Sequence, residues 1–533
     1  MRTLIKNGLI YDGSGGSPYQ KNILIEEDKI AAVTENIEVC AENVIDANGF
    51  AVTPGFIDTH RHCDIDALYN ADFGTIELSQ GLTTVIGGNC GLAPVPAPRT
   101  YRKDIFDYIE PCLGAAPEQL KMEHFYDYIK ALEKKELPIQ VGSYIGTGTL
   151  KAALKGYGKT PFTRAEMEKA KSYIKEGMEA GAVGLSMGIM YQPECYSSRS
   201  EMTELVSAAA PYGRPLACHI RGEGNNLVSS IKEIIEIAKE AEIPLNISHF
   251  KVTGLKNWGV TIDKAIGLIE EARHNGQDVT VDFYPYCAGS TTLLSLLPPT
   301  VMEDSLEKTL KKLSSSSGKE TLIKELYKEH PGWDNMVTAI GWDRILISSV
   351  TKDSNRIFSG KNINEAAAIA GYREPGEFMC DLLAEEQGKV GIIILSMSQE
   401  DVDTVAKLPY SMVISDSLYG AGDSPHPRLY GSFPKIIREY VRERHVLTME
   451  EAVRKMTLFP AKRLSLNGRG MLREGYYADI NVFDVNNIKD CAVYEEPKKL
   501  CSGFHTILVN GKITVTDDII LNRTNGGIVR VGY

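Results

Sequence analysis

The chain has 533 residues, 43% hydrophobic and 24% charged, with 48 glycines and 24 prolines; that composition excludes a disordered or fibrous protein and exceeds one ordinary domain core. Its 58 lysines and arginines against 70 aspartates and glutamates leave a net charge of −12. With no long basic run, this excludes electrostatic capture of nucleic acid or of a membrane surface and favours a small-molecule partner.

Ten cysteines in neither CxxC pairs nor tight repeats exclude a disulfide framework and leave one thiol free to serve as a metal ligand. Met1 to Gly16 lacks the apolar stretch of a signal peptide, and no run of about 18 apolar residues offers a membrane span. A soluble, cytoplasmic protein is expected; the sequence carries no signal of oligomeric state.

In chain order, Thr3 to Ile10 is apolar on either side of Asn7-Gly8, which predicts a hairpin. The same dipeptide recurs at Asn510-Gly511 between Ile507–Val509 and Ile513–Val515. These two ends, residues 1–54 and 465–533, are expected to share one small sheet domain. Over 55–464, short β-branched runs alternate with amphipathic helices, the pattern of repeated βα units and a parallel sheet. A capping box at Thr163 and Glu166, followed by Met167, Ala170, Ile174 and Met178 and stopped by Gly181, predicts one such helix.

Buried strands are predicted at 55–58, 84–86, 139–145, 183–185, 215–219, 243–249, 279–284 and 412–416. Eight is the strand count of a closed parallel barrel, although Arg344–Val350 and Val390–Leu395 are equally apolar and stand outside the count. From 287 to 342 the rhythm lapses into Ser- and Lys-rich sequence, most linker-like at Ser314–Gly318. That segment is expected to be an insertion over one face of the barrel, placed to act as a lid.

The chemistry gathers at the ends of these runs. In Pro54–His62, His60 and His62 are alternate residues of a strand and point to one side, where one metal can take both. Cys90 follows the next run between glycines that let the backbone approach a metal. His219 and His249 end two successive runs, and Asp416 ends the last, where a carboxylate can bind metal or take a proton from water. Taken singly, each has an ordinary reading: a chance HxH, a buried thiol, a hydrogen-bonded core histidine, a helix N-cap. Six strand-end coincidences are less credible than one site.

These segments resemble the amidohydrolase superfamily and, within it, the N-acyl-D-amino-acid deacylases. The resemblance runs along almost the whole chain, through Pro54–His62, Gly88–Gly91, Gly181–Ser186, His219–Arg221, Ser248–Lys251, Asp282–Tyr286, Pro425–Arg428, Arg454–Thr457, Gly475–Asp479 and Val509–Gly511. It implies an α/β fold: a distorted (β/α)8 TIM-type barrel over 55–464 with the inserted lid, and a β-sandwich built from both ends. It also implies Zn2+, with one tight site at Cys90, His219 and His249 and a second, weaker position among His60, His62 and Asp416. Two departures stand out. Ser417 follows Asp416 where the family has glycine, which leaves the carboxylate in place. Thr147 stands where the family often has a histidine, which removes any hydrogen bond that ring would supply.

The implied reaction is zinc-dependent hydrolysis of an N-acyl-D-amino acid, with Asp416 as general base and then general acid. By the same resemblance Arg428, Tyr284 and Ser290 hold the substrate α-carboxylate, a task for which a bidentate arginine is suited. Lys251 either meets substrate or lines the rim. The run after Ser290, Thr291 to Leu297, contains no Arg or Lys, which predicts a neutral apolar D-residue such as methionine or leucine rather than D-glutamate. The rivals are a dihydroorotase- or hydantoinase-like cyclic-amide hydrolase, which usually carries a bridging lysine where this chain has Cys90, and an inactive scaffold, which would have lost ligands.

Overall fold

The computed structural model describes residues 1–36, 39–117, 120–303, 305–330, 332–420 and 422–532. Each of the eight predicted runs overlaps a parallel strand buried along its whole length, the fourth by Leu185 alone: Phe56–Asp58, Leu82–Gly87, Gln140–Ser143, Leu185–Gly188, Leu216–His219, Leu245–Ile247, Val279–Phe283 and Ser411–Val413. Burial on both faces explains why they read as continuous apolar runs rather than alternating ones.

The first three pair in order. The chain then changes neighbour at 143–145, where Tyr144 donates to the Gly87 carbonyl and Ile145 to that of Gly184, both at 3.0 Å. From Ile145–Gly146 onward the remaining strands pair in sequence order. Beyond the last of them, Ser417 and Leu418 pair in parallel with Arg61 and His62. The Asp416 amide donates to the His60 carbonyl at 2.9 Å. The last strand therefore delivers its end to the end of the first. The helix Arg164–Glu179 starts on the predicted cap, with Thr163 Oγ1 accepting from the Glu166 amide, and buries Met167, Ala170, Ile174 and Met178.

Strands from the two ends of the sequence lie in one seven-stranded sheet, in which Val482 pairs with Val52 and, further along, Val509 with Lys512. A four-stranded sheet of residues 2–6, 22–26, 29–34 and 43–46 packs against it through Ile5, Ile23, Ile25, Val52, Val482 and Leu508. The two Asn-Gly dipeptides behave differently. Asn510-Gly511 closes a hairpin. The hairpin predicted at Asn7-Gly8 is corrected: Arg2–Lys6 pairs within the four-stranded sheet and Leu9–Ile10 within the seven-stranded one. The left-handed φ of 65° at Asn7 serves there to carry the chain from one sheet to the other.

The stretch that follows residue 287 carries structure of its own on both sides of 342. Gly289–Thr292, Gly391–Ile394 and Ile345–Ser349 form a separate antiparallel sheet over a core that runs from Leu293 to Ile394. The two apolar runs left outside the eight are strands of this sheet, and they look like strands of the parallel set because they too are buried. Ser314 and Ser315 make a tight turn between helices, with Ser315 capping Ser316–Leu326, of which Ser316–Gly318 is the first turn.

Candidate active site

Three of the six candidate ligands sit on backbone in the left-handed region, with φ of 55° at Cys90, 38° at His249 and 51° at Asp416. Such backbone costs of order 1–3 kcal/mol per residue and clusters where side chains must be aimed. The neighbourhood of Cys90 is crowded to match: a Cβ on Gly88 would lie 2.4 Å from the Tyr144 carbonyl, and one on Gly188 2.1 Å from that of Cys90. The glycines read from the sequence are needed for that approach.

The six side chains converge in two overlapping groups, His60, His62, Cys90 and Asp416, and Cys90, His219 and His249, with the ligand atoms of each group within 4.8 Å of one another. Cys90 belongs to both, its Sγ lying 3.2 Å from His60 Nε2 and 3.5 Å from His249 Nε2. Asp416 Oδ1 is 3.4 Å from both His60 Nε2 and His62 Nε2. All six are buried.

Burial, with the neighbouring cationic and imidazole groups, holds His60, His219 and His249 well below the usual histidine range, so they are neutral and can ligate. Burial also pushes the Cys90 thiol up, which a bound cation would reverse. At Asp416 the upward push of burial is outweighed by Arg428 first and then by His60 and His62, which keep the carboxyl well below its ordinary value. A thiol, several imidazoles and a carboxylate are the donor set zinc prefers. The Nδ1 atoms of His60, His62 and His219 are buried without a hydrogen-bond partner, so these rings are not fully satisfied as core histidines.

The group opens on a cavity of about 620 Å3, counted out to its mouth, within the usual range for small-molecule sites. Leu92, Met190, Met336, Ile394 and Leu418 form apolar wall, and Lys251, Tyr284 and Ser290 are also at its surface. Tyr284 Oη is buried without a partner, whereas Ser290 Oγ donates to the Ile392 carbonyl at 2.9 Å. Met336 and Ile394 belong to the core that runs from Leu293 to Ile394.

Arg428 is neither the solvated arginine of the ordinary reading nor a member of the wall. It is 1% exposed, its Nη1 lies 2.9 Å from Asp416 Oδ2, its Nη2 donates to the Ser290 carbonyl at 3.2 Å, and its guanidinium stacks over the Tyr284 ring.

Sequence reasoning missed three buried charged residues around the ligands. Arg61 lies between the two histidines but turns the other way, onto Asp58, Glu77, Ser415 and Tyr419. Glu194, pushed up to about 7 by burial, accepts from the Gly188 amide and shares a short contact with Thr147. Glu223 touches His249 and Lys251. The HxRxE spacing of His219, Arg221 and Glu223 was the one signal available for the last.

Residues 51–275 and 413–515 each match the amidohydrolase family. Over 513 residues the chain is 31% identical to the D-aminoacylase of Alcaligenes xylosoxydans xylosoxydans, covering 95% of this chain and 93% of that protein. A solved D-aminoacylase, studied for its binuclear metal centre, superposes with a TM-score of 0.83 at 29% identity, covering 99% of each chain. The N-acyl-D-glutamate deacylase of Bordetella bronchiseptica, solved with zinc and a phosphonate mimic of the reaction's tetrahedral intermediate, superposes with a TM-score of 0.84, again at 29% identity and 99% of each chain. The chain belongs to the D-aminoacylase family of amidohydrolases.

Proposed function

We propose that this protein hydrolyses the amide bond of N-acyl-D-amino acids, giving a carboxylate and a free D-amino acid, with zinc as its metal. The observation that carries the proposal is the convergence of six buried ligand atoms around one shared thiol. Cys90, His219 and His249 would hold the tight ion. His60, His62 and Asp416, with Cys90 again, would surround a weaker position.

When bound, zinc supplies Lewis-acid polarisation of the acyl carbonyl and lowers the pKa of water towards about 7. Asp416 is the proton carrier. Its Oδ1 faces the imidazoles and the cavity, ionised, so it takes the proton of the attacking water and returns it to the leaving nitrogen. Arg428 holds the other oxygen and fixes the plane of the carboxylate. Lys251, Tyr284 and Ser290 at the wall, with Arg428 behind them, provide the polar end for the substrate α-carboxylate, and the unpartnered Tyr284 hydroxyl supports that assignment.

Lys251 is the one lysine or arginine among the described lining residues. The apolar part of the wall, Leu92, Met190, Met336, Ile394 and Leu418, supports a neutral side chain such as D-methionine or D-leucine rather than D-glutamate.

The architecture belongs to the same proposal: the eight parallel strands close into a distorted (β/α)8 barrel spanning 55–464, residues 1–54 and 465–533 form a β-sandwich, and the inserted segment acts as a lid. Among the described residues no helix is long and apolar enough to cross a membrane. A cytoplasmic location is proposed on the ten unpaired thiols, which a reducing compartment preserves.

The test is amino-acid release by the zinc-loaded protein from paired N-acetyl-D- and N-acetyl-L-methionine, -leucine and -glutamate. Release from the D-forms, methionine and leucine first, is expected. Release from L-forms alone overturns the stereochemical reading, and a preference for D-glutamate overturns the side-chain assignment.

A further inference from the structure

Glu223 is buried at the cavity wall on a loop anchored by the inserted segment. Asp334 accepts from the Gly224 amide at 2.6 Å and from the Asn226 amide at 3.0 Å, and the Thr253 amide donates to the Glu223 carbonyl at 2.8 Å. From this held backbone a single carboxylate oxygen, Oε1, reaches two functional groups: His249 Nδ1 at 3.1 Å and Lys251 Nζ at 2.6 Å. Lys251 Nζ also lies 2.8 Å from His249 Nδ1 and donates to the His249 carbonyl at 3.0 Å.

His249 Nδ1 can satisfy only one of these neighbours. If it accepts from the Lys251 ammonium, the ring proton sits on Nε2, which faces Cys90 Sγ at 3.5 Å, and the nitrogen has no lone pair for a metal. If it donates to Glu223, Nε2 is free and its lone pair points into the ligand group. A carboxylate behind an imidazole also makes the ring a stronger ligand and locks its rotation. Lys251, meanwhile, is drawn to Glu223 and to the His249 carbonyl, which satisfy two of its protons without the ring.

We propose that Glu223 is a positioning residue for the tight metal site: it accepts a hydrogen bond from the Nδ1–H of His249, aims Nε2 at the position shared with Cys90, and holds Lys251 at the cavity wall. The inference rests on the zinc reading above. It assigns to the loop 222–226, and through Asp334 to the inserted segment, a part in metal binding that none of the six ligands performs.

The experiment is zinc affinity of the metal-free full chain, measured by competition with a chromophoric chelator and without substrate, for wild type and four variants. Glu223→Ala is expected to weaken the first zinc 10- to 100-fold, the range for loss of such a partner, with the melting temperature of the metal-free protein unchanged. Glu223→Gln, which keeps an acceptor oxygen in place, recovers most of that loss. Lys251→Met leaves zinc affinity at the wild-type level. If Glu223→Ala does not fold, Glu223→Asp, charged but one methylene short, is read in its place and is expected to be weakened likewise. Wild-type affinity in the alanine variant, or in the aspartate variant where that is the one read, overturns the proposal, as does a loss in Lys251→Met equal to that of the Glu223 variant. A wild-type chain that binds no zinc overturns the underlying metal reading instead.

Discussion

Arg428 and Asp416 divide one carboxylate between two duties: Nη1 of the arginine lies 2.9 Å from Oδ2, while Oδ1 is 3.4 Å from both His60 Nε2 and His62 Nε2. One oxygen is held and the other is free to act. Replacing Asp416 by asparagine keeps the shape and removes the base. The expected outcome is a fall in kcat of at least about 100-fold, the scale of a lost general base, with the tight zinc retained. Steady-state rates alongside metal analysis check it, and unimpaired turnover would remove Asp416 from the reaction.

Arg428→Met addresses the same pair through pH. Burial pushes the Asp416 proton affinity up, and Arg428 is the first of the groups that hold it down. Without the guanidinium the carboxyl gains proton affinity, so the acid limb of kcat/KM moves to higher pH in the variant. A pH–rate profile with the limb unmoved would assign Arg428 to substrate binding alone.

Cys90 stands in both ligand groups, so its loss and the loss of a histidine from one group are not equivalent. Cys90→Ala is expected to retain almost no zinc after dialysis. His60→Ala is expected to keep the tight ion at His219, His249 and Cys90. Elemental analysis of the two variants reads the difference directly; equal depletion in both would mean that the two groups do not bind separately.

Glu194 makes a stability prediction whose sign is fixed by its surroundings. Its carboxyl is raised from 4.5 to about 7 by burial. The neutral form fits the site: a protonated oxygen can donate to Thr147 Oγ1, which itself donates to the Ser186 carbonyl, while Oε2 accepts from the Gly188 amide. Because the folded state holds this proton more tightly than the unfolded chain, the contribution is fully present below about pH 4.5 and is lost as pH rises through about 7. Glu194→Gln mimics the neutral form at every pH. Its stability relative to wild type should therefore climb between pH 5 and 8, towards about 3 kcal/mol, in denaturant titrations. A difference independent of pH would show that the wild-type group is ionised throughout.

The candidate metal ligands were legible because each combines a chemically specific residue type with the end of an apolar run, and the end of a buried strand is a local property of sequence. The layer behind them was not. Arg61 is flanked by two ligands, yet its partners Ser415 and Tyr419 come from the last strand region, and no local pattern announces that an arginine is buried there. Glu194 and Glu223 look like any loop acids until Gly188 and His249 are brought against them. The separate sheet illustrates the same limit: beyond 342 its strands are as apolar as those of the parallel set, and only their antiparallel pairing tells them apart. The contact of Arg428 with Asp416 was not legible, because it depends on where the last strand ends.

The pairing of Val482 with Val52, and of Gly527–Ile528 with Gln140–Val141, has a bearing on biosynthesis. On the ribosome the segment carrying His60, His62, Cys90, His219 and His249 emerges long before these late partners do. Until then the nascent chain presents an unpaired edge of Ala51–Pro54 and of Gln140–Ser143 to solvent. Such edges and late, long-range pairings slow folding and invite association with other chains. Chaperone supply and translation rate should therefore govern the yield of folded protein more than the intrinsic stability of the finished molecule.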